Sequence, residues 1–250
     1  MAVNLNTAEY FEKKYQNSYG TPRNICFAVY DQKIWNQCVE LLKNCNIVAD
    51  FGAGVGTLLY NVSKVTNAKL ISIDHSNLAL QESKALIPKL ETLNEDILNT
   101  SLGNDSIDFC LSTMTIEHVD DKKFVAEVFR VLKPGGYFFV TSVIKSKYAW
   151  YFHKNAKGDM VLEPTHLREY KSTGEFEHLL TSCDFNIMQT KTPRIQFPLL
   201  DPFFKGIIHL TRLKNFLEIR PVEFLRLVSR IPIPGYFAVE TLAKKRFPDQ

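Results

Sequence analysis

Apolar and polar positions follow two different periods along this chain, and where the period changes an element boundary is expected. From Ile47 onward short apolar runs alternate with amphipathic stretches. The runs predict strands at Ile47–Phe51, Leu70–Asp74, Glu91–Asp96, Ile107–Ser112 and Tyr137–Val143. The stretches predict helices at Gly56–Val65, Leu78–Leu86 and Lys122–Leu132, the last with Phe124, Val125, Val128 and Leu132 on one face. Turns are expected at Gly103-Asn104-Asp105 and at Leu132-Lys133-Pro134-Gly135-Gly136. Such alternation implies a parallel sheet joined by right-handed crossovers, with helices on both faces.

The flanks read differently. Residues 7–45 look helical: Tyr10, Phe11, Tyr15 and Tyr19 recur at helical spacing, Gly20-Thr21-Pro22 interrupts, and Ile34 to Leu42 gives a second amphipathic pattern. Packing on the core and capping of a ligand are both open to this segment, with Tyr19 a candidate substrate contact and Arg23 within reach of a carboxylate. Asp184–Thr190 and Gly235–Lys244 read as strands six and seven. The interval of about 193–234 between them departs from the alternation and reads as a helical insert. It mixes Phe197, Phe203, Phe204, Leu210 and Phe216 with Lys205, Arg212, Lys214, Arg220, Arg226 and Arg230 against Glu218 and Glu223. Three roles are open to it: packing on the sheet edge, a lid over an apolar substrate, or contact with an anionic membrane surface. No repeat divides the chain, so one domain over 1–250 is expected.

The candidate chemistry sits at the first strand-to-helix junction. Val48-Ala49-Asp50-Phe51-Gly52-Ala53-Gly54-Val55-Gly56 is a strand running into a glycine-spaced turn and then a helix. Glycine permits positive φ and close approach of a ligand to the main chain, and the unpaired N–H groups of a helix's first turn attract negative charge. The acid before the first glycine and the lack of a glycine two residues beyond Gly56 argue against a dinucleotide site. Asp74 closes the second strand about twenty residues on, where an acid suits a ribose diol. Asp50, Asp74, Asp96 and Ser112 all fall at carboxyl ends of predicted strands, where ligands bind in open α/β sheets.

In this order the motifs resemble the class I S-adenosylmethionine-dependent methyltransferases of the small-molecule type. The resemblance implies a Rossmann-like, seven-stranded, mostly parallel sheet of order 3-2-1-4-5-7-6, with strand seven antiparallel. It implies S-adenosylmethionine as cofactor. Asp50, Gly52, Ala53 and Gly54 would hold its methionyl part, Asp74 and His75 its ribose, Asp96 and Ile97 its adenine, and Ser112 and Thr113 would line the transfer pocket. Met114, Arg168 and Tyr170 are then candidate substrate contacts, with the acceptor a small molecule, apolar in character and methylated at oxygen. Methyl transfer from a sulfonium needs alignment more than activation, but an oxygen nucleophile benefits from a base. His118, in Ile116-Glu117-His118-Val119-Asp120, and His166, in Glu163-Pro164-Thr165-His166, are the two candidates. An N-methyltransferase and a non-catalytic nucleotide-binding relative remain as alternatives. Ser112-Thr113-Met114-Thr115 disfavours a base-amine methyltransferase.

Composition narrows the partners without naming one. A net charge of +3 over 250 residues, without a Lys/Arg block, gives nucleic acid no support. Five cysteines without a C-x-x-C pair fit a reducing, cytoplasmic setting and neither a disulfide framework nor a zinc site. No H-x-x-H or carboxylate–histidine spacing suggests a metal, and no apolar run is long enough to span a membrane. The sequence leaves the oligomeric state open.

Overall fold

The structure, a computed structural model, describes residues 30–149, 153–211 and 219–247. Tyr10, Phe11, Tyr15, Tyr19 and Arg23, with most of the expected cap, lie outside the described residues, as does 212–218 of the insert.

The first described helix, α1 (Gln32–Leu42), begins at Asp31, whose carboxylate accepts from the backbone N–H groups of Lys33 and Ile34. Ile34, Cys38 and Leu42 recur four residues apart and are buried. They share a buried cluster with Val48 of β1 (Ile47–Phe51), which is followed by α2 (Thr57–Val62), β2 (Lys69–Ile73), α3 (Asn77–Leu86), β3 (Glu91–Leu93) and β4 (Ile107–Thr113). A 3-10 turn, Ile116–His118, then leads to α4 (Asp121–Val131) and β5 (Leu132–Lys145). After a small hairpin of β6 (His153–Lys154) and β7 (Met160–Val161) come α5 (Thr173–Thr181), β8 (Phe185–Lys191), β9 (Arg194–Pro198), α6 (Asp201–Thr211), α7 (Arg220–Val228) and β10 (Arg230–Lys245).

The sheet runs β3-β2-β1-β4-β5-β10-β8, with β9 paired to β10 outside that path. β1 to β5 are parallel and β10 runs antiparallel to both β5 and β8. This is the expected order 3-2-1-4-5-7-6 with one added strand. Adjacent strand residues point to opposite faces. Val48, Leu70 and Phe139 join α1 and α2 on one side, whereas Ala49, Ile71 and Phe138 join Phe124, Val125 and Val128 of α4 and Phe176 of α5 on the other. Each fully buried Phe in these layers contributes roughly 1.5–3 kcal/mol of transfer free energy.

Three expectations are corrected. The turn expected at Leu132–Gly136 is taken into β5: Leu132 pairs with Ile107, and the register slips before Tyr137 meets Phe109. Gly135, at φ +76°, accommodates the bulge. Strand seven begins at Arg230 rather than Gly235, because Arg230–Pro232 pair with β9, a strand the sequence reading had placed in a helical insert. And Arg226 does not belong to a solvated basic face. It is buried and makes a two-pronged ion pair with Asp201, Nε to Oδ1 at 2.6 Å and Nη2 to Oδ2 at 2.9 Å, tying α7 to α6.

Candidate active site

β1 delivers its C-terminal end into a turn in which Gly52, Gly54 and Gly56 all hold positive φ, at +74°, +53° and +78°. At Gly52 a side chain would in addition collide with Thr115, 2.6 Å from its Oγ1. The turn is fixed to the neighbouring strand: Gly52 and Ala53 donate to the Ile73 carbonyl at 2.8 and 3.1 Å. Gly54 donates to Asp74 Oδ2 and Ser76 to Asp74 Oδ1, each at 2.8 Å. Asp74 thus braces the glycine turn.

Beneath the turn lies Asp50, 2% exposed, its Oδ1 without a hydrogen-bond partner among the described residues. Burial, and secondarily the charge of Asp74, raise this carboxyl to about 8. A buried carboxyl lacking a partner is a costly arrangement that a cationic ligand relieves. S-adenosylmethionine carries a sulfonium and an ammonium, so a cradle of left-handed glycines over such a carboxyl fits it.

The loops after β2 and β3 bring the remaining cofactor candidates together. Asn94 donates to the carbonyls of Asp74 and His75 at 3.0 and 2.8 Å. His75 and Asp96 are both exposed and stand 3.8 Å apart, while Ile97 is buried beside them. At the end of β4, Thr113 is half-buried, and Met114 is held at φ +52°, a strained value for a side chain of this size, with its N–H bonded to Thr141. Ser112 is placed otherwise than expected. Its hydroxyl is fully buried and donates to the Phe51 carbonyl at 2.9 Å, so that side chain locks β4 to β1.

The two histidine candidates, far apart in sequence, meet: the His118 and His166 rings are 4.8 Å apart, edge to face. The 3-10 turn after β4 supplies His118 and the loop after the β6–β7 hairpin supplies His166. Leu167 N–H donates to the Glu117 carbonyl at 2.8 Å and joins the two segments. His166 Nδ1 is 2.7 Å from Glu169 Oε1, which also accepts from Leu162 N–H at 2.6 Å, and Lys145 Nζ is 3.7 Å from Glu169 Oε2. Glu117 lies in the same group, fully buried, accepting from Ser142 Oγ at 3.0 Å. Burial lifts its carboxyl to about 7 against the lowering effect of His166. Glu169 escaped the sequence reading, although its position three residues after His166 was a visible sign. No carboxylate–histidine spacing in the sequence suggested a metal, yet in the fold Glu117, His118 and His166 offer ligand atoms within 4.8 Å of one another.

Arg168 and Tyr170 are corrected as substrate anchors. The Arg168 guanidinium is paired with Asp121 and, at 2.6 Å, with Glu175. Tyr170 is fully buried, its hydroxyl donating to Asp121 Oδ2 at 3.0 Å. Both are committed to holding α4 and α5 against β5.

Residues 49–140 match the family model of a methyltransferase domain. A Mycolicibacterium smegmatis protein named as a probable S-adenosylmethionine-dependent methyltransferase is 28% identical over 144 residues, covering 57% of this chain and 52% of that one. The mitochondrial ubiquinone biosynthesis O-methyltransferase of Dictyostelium discoideum is 30% identical over 136 residues, covering 47% and 41%. The chain thus spans about half the length of these curated relatives. Among solved structures, geranyl diphosphate methyltransferase in complex with GPP and sinefungin superposes with a TM-score of 0.59 at 12% identity, covering 97% of this chain and 100% of that one. With the glycine turn, the acids at successive strand ends and the sheet order in agreement, residues 49–140 carry a methyltransferase domain, and the chain is similar to S-adenosylmethionine-dependent methyltransferases in sequence and to class I methyltransferases in fold.

Proposed function

We propose that this protein transfers a methyl group from S-adenosylmethionine to an oxygen of an apolar small molecule. The observation that carries the reading is the unpartnered Asp50 carboxyl under three left-handed glycines, with Asp74 and Asp96 at the next two strand ends. In this reading Asp50 and the glycine turn hold the methionyl part, Asp74 and His75 the ribose, and Asp96 and Ile97 the adenine. Thr113 and Met114 wall the transfer pocket. Bound cofactor supplies an activated methyl. The chain's own part is to align the acceptor and accept its proton, and His166, its Nδ1 facing Glu169, is oriented to act as base through Nε2, with His118 beside it.

An apolar acceptor is supported by the insert. Leu199, Phe203, Leu210, Phe224 and Val228 are each more than half exposed around α6 and α7, an apolar surface suited to a greasy substrate or to the membrane that stores it. No helix among the described residues is long and apolar enough to cross a membrane. Cys38, Cys45, Cys110 and Cys183 are free thiols, which suits the cytoplasm.

Calorimetry with S-adenosylmethionine, then tritium transfer from methyl-labelled cofactor to a panel of alkylated phenols, quinols and amines, tests the reading. Label on phenols or quinols, with turnover lost in His166→Ala, supports it. Label confined to amines would replace it with N-methylation, and binding without transfer to any acceptor would favour a non-catalytic relative.

A further inference from the structure

Glu117, His118 and His166 are all buried, and their ligand atoms lie within 4.8 Å of one another, a grouping of two imidazoles and a carboxylate. Such groups stay close in a dry interior only if something compensates them, and several buried polar atoms around them have no hydrogen bond within the described residues. Glu117 Oε2 is taken by Ser142, but Oε1, fully buried, has no hydrogen-bond partner among the described residues. Thr165 Oγ1, on the residue before His166, is likewise buried and without a hydrogen bond. His166 is oriented from behind: with Nδ1 turned to Glu169 at 2.7 Å, its Nε2 is the nitrogen left for the cluster. A carboxylate behind a histidine that presents its other nitrogen is the arrangement that fixes the tautomer of metal-ligating histidines. Glu169 Oε1 is itself held by Leu162 N–H, while Oε2 stands 3.7 Å from Lys145 Nζ without a hydrogen bond among the described residues.

We propose that Glu117 Oε1, His118 and His166 Nε2 form a binding site for a divalent transition-metal ion of the zinc, iron(II) or manganese(II) kind, oriented by Glu169 and Ser142. Two imidazoles and one carboxylate suit these ions and not magnesium or calcium, which prefer all-oxygen shells. Metal–ligand bonds of about 2.0–2.2 Å require donor separations of roughly 3.4 Å, which a closing movement of about an ångström in the side chains provides. Three protein donors leave a further position for an oxygen from water or from the acceptor. Under the function proposed above, that position would hold the acceptor oxygen, and a bound metal, by lowering that oxygen's pKa, would take over the task given above to the free His166 Nε2; only this clause rests on that function. Metal binding itself does not.

The test uses the intact chain, stripped with chelator and titrated with Co²⁺, whose d–d absorption reports an inner shell containing nitrogen. One Co²⁺ per chain, displaced by Zn²⁺, is expected. His166→Ala and Glu117→Gln should each abolish the stoichiometric signal. Glu169→Gln, which touches no metal, should weaken binding about 10–100-fold while keeping the same spectrum. Circular dichroism and cooperative thermal unfolding check that each variant folds. A folded wild-type chain with no stoichiometric Co²⁺ signal overturns the site, as does binding unaltered in Glu117→Gln and His166→Ala. Calorimetry of S-adenosylmethionine on the metal-free chain reads the methyltransferase assignment separately.

Discussion

Replacing Asp50 by asparagine isolates the electrostatic cost built into the cofactor turn. The Asp50 carboxyl sits at about 8, against 3.8 for an ordinary aspartate, because it is buried first and faces Asp74 second. Between about pH 4 and pH 8 the folded chain keeps a proton that the unfolded chain has released. The unfolded state binds fewer protons there, so stability falls as pH rises, by about 1.4 kcal/mol per unit. Across the window the loss is about 5 kcal/mol, complete once the folded carboxyl ionises above pH 8. Asparagine keeps the shape and does not titrate. The unfolding free energy of Asp50→Asn relative to wild type should therefore rise by about 5 kcal/mol from pH 4 to pH 8 in the variant's favour. Glu117 and Glu240, both lifted to about 7, titrate in both proteins and cancel in the difference. Urea unfolding at half-unit pH steps measures it. A difference that stays flat within about 1 kcal/mol would refute the claim that this carboxyl is held neutral by its surroundings. The same variant should bind S-adenosylmethionine more weakly, by a margin that grows as pH rises towards 8, because the cation loses the carboxylate that forms when it displaces the Asp50 proton.

Three further outcomes follow from the packing. Gly52→Ala should lower stability by at least about 1–2 kcal/mol and abolish cofactor binding, since φ of +74° penalises a side chain and Thr115 fills its space; adding Thr115→Ala should recover only the clash component in thermal unfolding. Tyr170→Phe should cost about 1–1.5 kcal/mol by leaving Asp121 one donor short, with KM for the acceptor unchanged in steady-state kinetics, because the phenol serves the interior. Lys245→Met should cost about 2–3 kcal/mol in urea unfolding, since its ammonium donates at 2.7 Å to Asp105 and to the carbonyls of Phe129 and Leu132, which have no substitute donor.

What could be read ahead of the structure was what lies close together along the chain. The glycine turn declares itself within nine residues, and Asp74 and Asp96 are marked by ending apolar runs, so the acids at successive strand ends were legible, and the sheet order followed from the resemblance these motifs carry. Pairings across long intervals were not. Arg168 looked like a free anchor because Asp121, its partner, lies 47 residues away. His118 and His166 looked like competing bases because nothing periodic in the hairpin and loop between β5 and α5 shows that the second folds back on the first. β9 was missed because Pro193 precedes it, Pro198 ends it, and only its pairing with β10 makes it a strand.

That strand has a consequence for how such a protein can change over generations. β10 is shared between two tenants: Arg230–Pro232 pair with β9 of the insert, Glu240–Lys245 pair with β8, and the register with β9 breaks between Pro232 and Phe237. The seam lies beyond the stretch that matches the family model, 49–140. An insert exchanged at β9 and at this break would leave β8, β5 and every acid of the cofactor turn in place. Inheritance can then replace the insert as a cassette, while the glycine turn and its acids pass down intact.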